Sequence, residues 1–218
     1  MTDVYVETGS KRVFVCAFDW PGWCRSGKDE ASALAALAAY APRYAPVARA
    51  ARIPFKAGGE VFRVREHLRG GATTDFGAPE KVAKRDTKPM ARPEAERLAA
   101  LVGSAWAIFD KVFGSAPASL RKGPRGGGRD RDKIADHVLD AEAAYVRKLG
   151  LRLPRPDRRD GAAVAAFRSE ITDALRTASN GSPPVERGWP QRYAARRIAW
   201  HVLDHAWEIE DRSDMKRG

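Results

Sequence analysis

Apolar side chains occupy alternate positions in "DVYVETG" and crowd "KRVFVCAFDW", with a Gly-Ser turn between the two runs. A period of two places alternate residues on one face of a sheet, so this stretch predicts a β-hairpin. "PGWCRSG" follows as a Pro/Gly turn, and Asp29 is placed to cap a helix through "EASALAALAAYAPRYA", whose length Pro42 or Pro46 limits. Strand character returns in "PFKAGGEVFRVREHL", where Gly58-Gly59 marks a second turn and Val61, Arg63 and Arg65 alternate with Phe62 and Val64. Residues 69–93 are rich in Gly, Pro, Thr and Lys, which predicts an irregular linker.

Beyond it the period changes to that of a helix. "PEAERLAALVGSAWAIFDKVFG" predicts a helix over roughly 93–114, opened by Pro93. "RDKIADHVLDAEAAYVRKLG" predicts a second, stopping at Gly150, and "DGAAVAAFRSEITDALRTASNG" a third, stopping at Asn180-Gly181. "PQRYAARRIAWHVLDHAWEIEDR" predicts a fourth, opened by Pro190. The expected organisation is therefore an α+β N-terminal domain followed by an all-α four-helix bundle. The first, residues 1–88, is a small antiparallel β-sheet with one helix and the irregular linker; the second is residues 89–218.

The helical wheel of the last segment brings the chemistry into view. Ala194, Ile198, His201, Val202, His205 and Ile209 fall on one face, so two of the chain's four histidines point inward one turn apart. In the second predicted helix Ile134, Val138, Ala141, Tyr145 and Leu149 make the buried stripe, and His137 lies at its edge. Three imidazoles on two helices of one bundle are a candidate open metal site, in which a position stays free for water or substrate. The residue after His201 is Val202, so the zinc-protease pattern with glutamate at that place is excluded.

Glu208 borders the same face and is the candidate to orient a ligand or move a proton. Asp204 points to the side, Trp106, Asp110 and Tyr145 are candidates for the bundle interior, and His67 reads as a surface or packing residue. Trp200, Leu203 and Trp207 form a second apolar stripe roughly opposite the histidines, which needs a cover from the N-terminal half or from a second copy in a homodimer. Trp20 and Trp23 in "DWPGWC" read as packing residues of a turn, with a lid over the metal pocket as the alternative.

The two cysteines, Cys16 and Cys24, make no disulfide framework; Cys16 reads as a buried apolar residue and Cys24 as a more exposed one. The formal charge of +11 invites a nucleic-acid partner, but the arginines are dispersed among aspartates and lack interleaved aromatics. A solvated basic surface is the reading adopted, with a nucleic-acid contact kept as the alternative. No apolar run approaches the roughly 18 residues of a membrane span, and the N-terminus is unlike a secretory signal, so a cytoplasmic protein is expected.

The helical half resembles the DinB superfamily of four-helix bundles, which includes thiol-dependent maleylpyruvate isomerases and bacillithiol transferases. The resemblance rests on "DHVLDAEAAYVRKLG" and "AWHVLDHAWEIEDR" and covers roughly residues 90–213. It implies a divalent ion, zinc or nickel, on His137, His201 and His205; three imidazole ligands by themselves would also accept iron. It also implies a small-molecule substrate and a transferase using a low-molecular-weight thiol; an open metal site fits a hydrolase equally. The first half looks like a HicB-type antitoxin domain through "VFVCAFDWPGWCRSGKDEASALAALAAY", although the DNA-binding region of some antitoxins is absent. If the histidines are merely structural, a non-enzymatic binding module remains.

Overall fold

A computed structural model describes residues 1–56, 61–122 and 128–213. The N-terminal part is a sheet of four strands, β1 (Thr2–Thr8), β2 (Val13–Ala17), β3 (Cys24–Gly27) and β4 (Phe62–Arg69), in the order β3-β2-β1-β4. The first two form the expected hairpin, but β4 pairs parallel to β1, so the sheet is mixed rather than antiparallel. A parallel partner needs a crossover, and two helices provide it. These are α1 (Glu30–Ala39) and α2 (Ala41–Ala50) in place of the one helix expected. Asp29 caps α1 by accepting from the Ser32 amide, and the break falls at Tyr40, just before Pro42 in the first turn of α2. The turn expected at Gly58-Gly59 lies outside the described residues.

β3 is a strand where only a turn was expected. The Pro21-Gly22 corner supplies the reversal: Gly22 takes a φ of +90° there, and an added Cβ would lie 2.5 Å from Leu203 Cδ1. Reversal at this corner sets Cys16 opposite Cys24 in the β2–β3 register, and the two are joined as a disulfide. Both are buried, which corrects the reading of them as unpaired and of Cys24 as exposed. Their separation of eight residues carries no recognisable spacing; strand pairing makes them neighbours.

All of β2 is buried because the sheet is covered on both faces. Val4, Val6, Val13 and Val15 belong to the main core with α1, α2 and Trp23, whereas Tyr5, Phe14, Cys16 and Phe18 pack on Trp200 and Ala83. Trp23 donates from Nε1 to the Leu37 carbonyl at 2.9 Å and stacks on Tyr44, and Trp20 meets Tyr44 and Phe55. These tryptophans are part of the N-terminal core, as the packing reading had it, and not a lid.

Residues 69–93 are built rather than irregular. They hold α3 (Ala72–Phe76) and a 3-10 turn, Lys84–Thr87. Glu7, fully buried on β1, accepts from Thr74 Oγ1 and from the amides of Glu80 and Lys81, fastening the segment to the sheet. Asp86 is buried too, and its carboxylate meets both terminal nitrogens of Arg196.

The remainder is helical: α4 (Arg92–Ser115), α5 (Arg131–Lys148), α6 (Gly161–Leu175) and α7 (Gln191–Arg212). α4 packs on α2, α6 and α7, and α5 packs on α7, giving a bundle-like arrangement around the central pair α4 and α7. Among the described residues α4 is the one helix long and apolar enough to cross a membrane, which the uninterrupted-run criterion passed over; half of that window is buried within the molecule. The second stripe of α7 is covered within the chain: Trp200 meets Phe14 edge-on at 6.1 Å, Trp207 meets Tyr40 at 5.0 Å, and Arg25 reaches Asp204 at 2.9 Å. A second copy is not needed to cover it.

Candidate metal centre

His201 lies inward on α7 because it shares the stripe of Ala194, Ile198 and Val202, all buried. His205, one turn later, follows it at the edge of that stripe, and α5 brings His137 alongside. His201 Nε2 and His137 Nε2 are 3.3 Å apart, and ring centroids within the trio are separated by 4.6–5.0 Å. One nitrogen from each ring lies within 4.8 Å of the others, so the three could hold a metal ion. Four-coordinate zinc with bonds of about 2.0–2.1 Å sets its imidazole nitrogens about 3.3–3.4 Å apart. The His137–His201 edge already has that length, and the edges to His205 need only a modest closure.

Protonation favours the same use. Burial, and then the charges of neighbouring histidine and arginine side chains, lowers the pKa of His137 and drives that of His201 well below the ordinary histidine value. Neutral imidazoles with lone pairs at Nε2 are the form that binds metal. His205 Nδ1 contacts Glu208 Oε2 at 2.8 Å, and Arg212 Nη1 donates to Glu208 Oε1 at 2.7 Å. With Glu208 ionised, His205 donates from Nδ1, which leaves its Nε2 bare for a ligand bond. Burial alone would raise the Glu208 pKa, but these two hydrogen bonds hold it below the usual glutamate value. His201 Nδ1 is buried without a hydrogen-bond partner. The carboxylate–imidazole pairing seen at His205 is therefore not repeated at His201.

The other expected residues divide. Tyr145 adjoins the trio, 5.8 Å from the His201 ring, and its hydroxyl pKa is raised by burial. Trp106 and Asp110 do not: Trp106 Nε1 donates to Glu142 at 2.7 Å, and Asp110 pairs with Arg168 at 3.0 Å. Asp204 is engaged by Arg25, and the exposed His67 pairs with Glu30 at 3.1 Å, away from the trio.

Glu142 escaped the sequence reading. It is 1% exposed, joined to Trp106 and Arg168, and burial raises its pKa against the pull of Arg168. Its signal was present, because Glu142 stands four residues after Val138 and four before Val146, inside an otherwise apolar stripe. Arg196 likewise precedes Trp200 by one turn. A cleft of about 420 Å³ opens beside Trp106, Asp110, Phe113, Leu139 and Arg168, and none of the three histidines lines it. Comparison of the chain with protein-family models, curated proteins and solved structures finds no match.

Proposed function

We propose that this protein is a metal-dependent enzyme of DinB-like type, with a divalent ion on His137, His201 and His205. The observation that carries the reading is the convergence of three imidazole nitrogens, two of them 3.3 Å apart and one backed by a carboxylate. Zinc and nickel suit imidazole ligands, and iron is compatible with them. A divalent ion there would supply Lewis acidity, either to bound water or to a low-molecular-weight thiol. His201 and His137 would bind through Nε2. Glu208 fixes the ring and tautomer of His205, and its place on His205 and Arg212 makes it a positioning residue, in preference to the proton-moving role considered from sequence.

The binding-module reading draws on the basic charge, and pairing of the arginines weakens it. Arg155 and Arg158 meet Asp132, Asp136 and Asp140; Arg159 meets Asp157; Arg192 meets Glu94; and Arg196 meets Asp86. Such pairs leave fewer cations to displace the counterions of a phosphate backbone.

Elemental analysis of untagged protein tests the proposal, comparing wild type with the double variant His201→Ala, His205→Ala. About one ion per chain in the wild type and none in the variant is expected. Equal, negligible metal in both would remove the metal site and leave the trio as a hydrogen-bonded packing cluster.

A further inference from the structure

Along α7 every residue from Gln191 to Leu203 is buried except Arg197, which is partly open. Arg197 stands one turn before His201. Its guanidinium carbon lies 4.6 Å from the Trp200 ring centre and 5.4 Å from that of Tyr145. Those same rings flank His201 at 6.1 and 5.8 Å, so one aromatic frame holds both the guanidinium and the imidazole. Other charged side chains on this stripe have partners: Asp204 takes Arg25, and Glu208 takes His205 and Arg212. Arg197 has none among the described residues, and its Nη1 is buried without a hydrogen bond. A desolvated guanidinium nitrogen without an acceptor is costly. Aromatic faces compensate the charge in part but accept few of its five N–H groups.

Resting on the metal reading above, we infer that Arg197 is the residue that recognises the substrate, and that the substrate is a small organic acid whose carboxylate docks on this guanidinium beside the histidine trio. A planar fork held between two rings is preorganised for two parallel N–H···O bonds to a carboxylate. The guanidinium fork meets the single charge and two coplanar oxygens of one carboxylate group, whereas a phosphate dianion gathers two charges on one group; the two charges of a dicarboxylate lie on separate groups.

Isothermal titration of the full-length protein as isolated, with succinate as probe, succinamide as its neutral counterpart and inorganic phosphate as the competing anion, tests this. Metal content is measured on every sample. Anions also ligate a metal ion directly, so dependence on Arg197 carries the test rather than binding alone. Succinate is expected to bind the wild type, succinamide is not, and Arg197→Gln should weaken succinate at least about tenfold with metal content unchanged. Arg197→Met keeps an unbranched stem between the rings and should show the same loss, which guards against misfolding of the first variant. Equal succinate affinity in wild type and either folded variant, no binding of succinate to the wild type, or tighter binding of phosphate would each overturn the inference. Metal retained with Arg197-independent binding leaves the metal reading and removes this one. Arg197-dependent binding in a protein devoid of metal does the reverse.

Discussion

The two sides of α7 handle polarity in opposite ways. Toward the sheet and residues 77–94, the charges are paired: Arg196 takes both oxygens of Asp86 and leaves only its Nε without a partner, Arg192 takes Glu94, and Tyr193 donates to the Glu80 carbonyl at 3.0 Å. Toward α5, His201 Nδ1 and Arg197 Nη1 are buried without partners, and two imidazole nitrogens face each other. The matched side is also the more fully buried: Arg192, Tyr193 and Arg196 are closed off from water, whereas His137, Arg197 and His205 are only partly covered. Matched groups close a structure; unmatched ones, gathered in one place, are left for a ligand.

The largest expected effect comes from breaking the matched side. Asp86→Ala strands the Arg196 guanidinium at a site where the two side chains are 0% and 6% exposed. Truncating one partner of such a buried pair costs about 3–5 kcal/mol. Urea denaturation should show that loss with no change in bound metal. A change below about 1 kcal/mol would mean that the pair is already hydrated, and the contrast between the two sides would fail.

On the unmatched side, Glu208→Gln should weaken metal binding by about 10–100-fold, as loss of a carboxylate behind a ligating histidine does. Competition with a chelator measures it. Global stability of the metal-free chain should move far less, since Glu208 is one-third exposed.

The smallest effect concerns pH. The pKa values of His137 and His201 lie below the unfolded value, chiefly through burial. As pH falls below about 6.5, the unfolded chain takes up protons that folded His137 and His201 refuse. The contribution is therefore complete above that pH and is lost as pH descends toward the folded pKa values. Denaturation of metal-free protein at pH 7.5 and pH 5.5 should show this decline, and His201→Leu should flatten it. An equal slope in both would place the pH dependence elsewhere.

Residues visible to periodicity were found in advance where the answer depends on one element. Asp29 as a cap, Pro93 and Pro190 at helix starts, and His201 with His205 on one face of α7 follow from local spacing. Buried Glu142 and Arg196 stand at spacings just as regular, but a charged side chain reads as solvated until its partner is known. Their partners, Trp106, Arg168 and Asp86, come from other segments of the chain.

By itself the sequence determined the four long helices of the second half, the apolar faces of α5 and α7, and that a strand-rich half precedes a helical one, because those properties need only neighbours within a turn or two. Tertiary structure alone decided that β4 runs parallel to β1, that Cys16 meets Cys24, and that the N-terminal sheet covers Trp200. It also decided that His137 arrives beside His201 and that Arg197 is left without an acceptor. Each of these depends on which distant segments share a surface, and contacts across tens of residues leave no periodic trace in the chain that makes them.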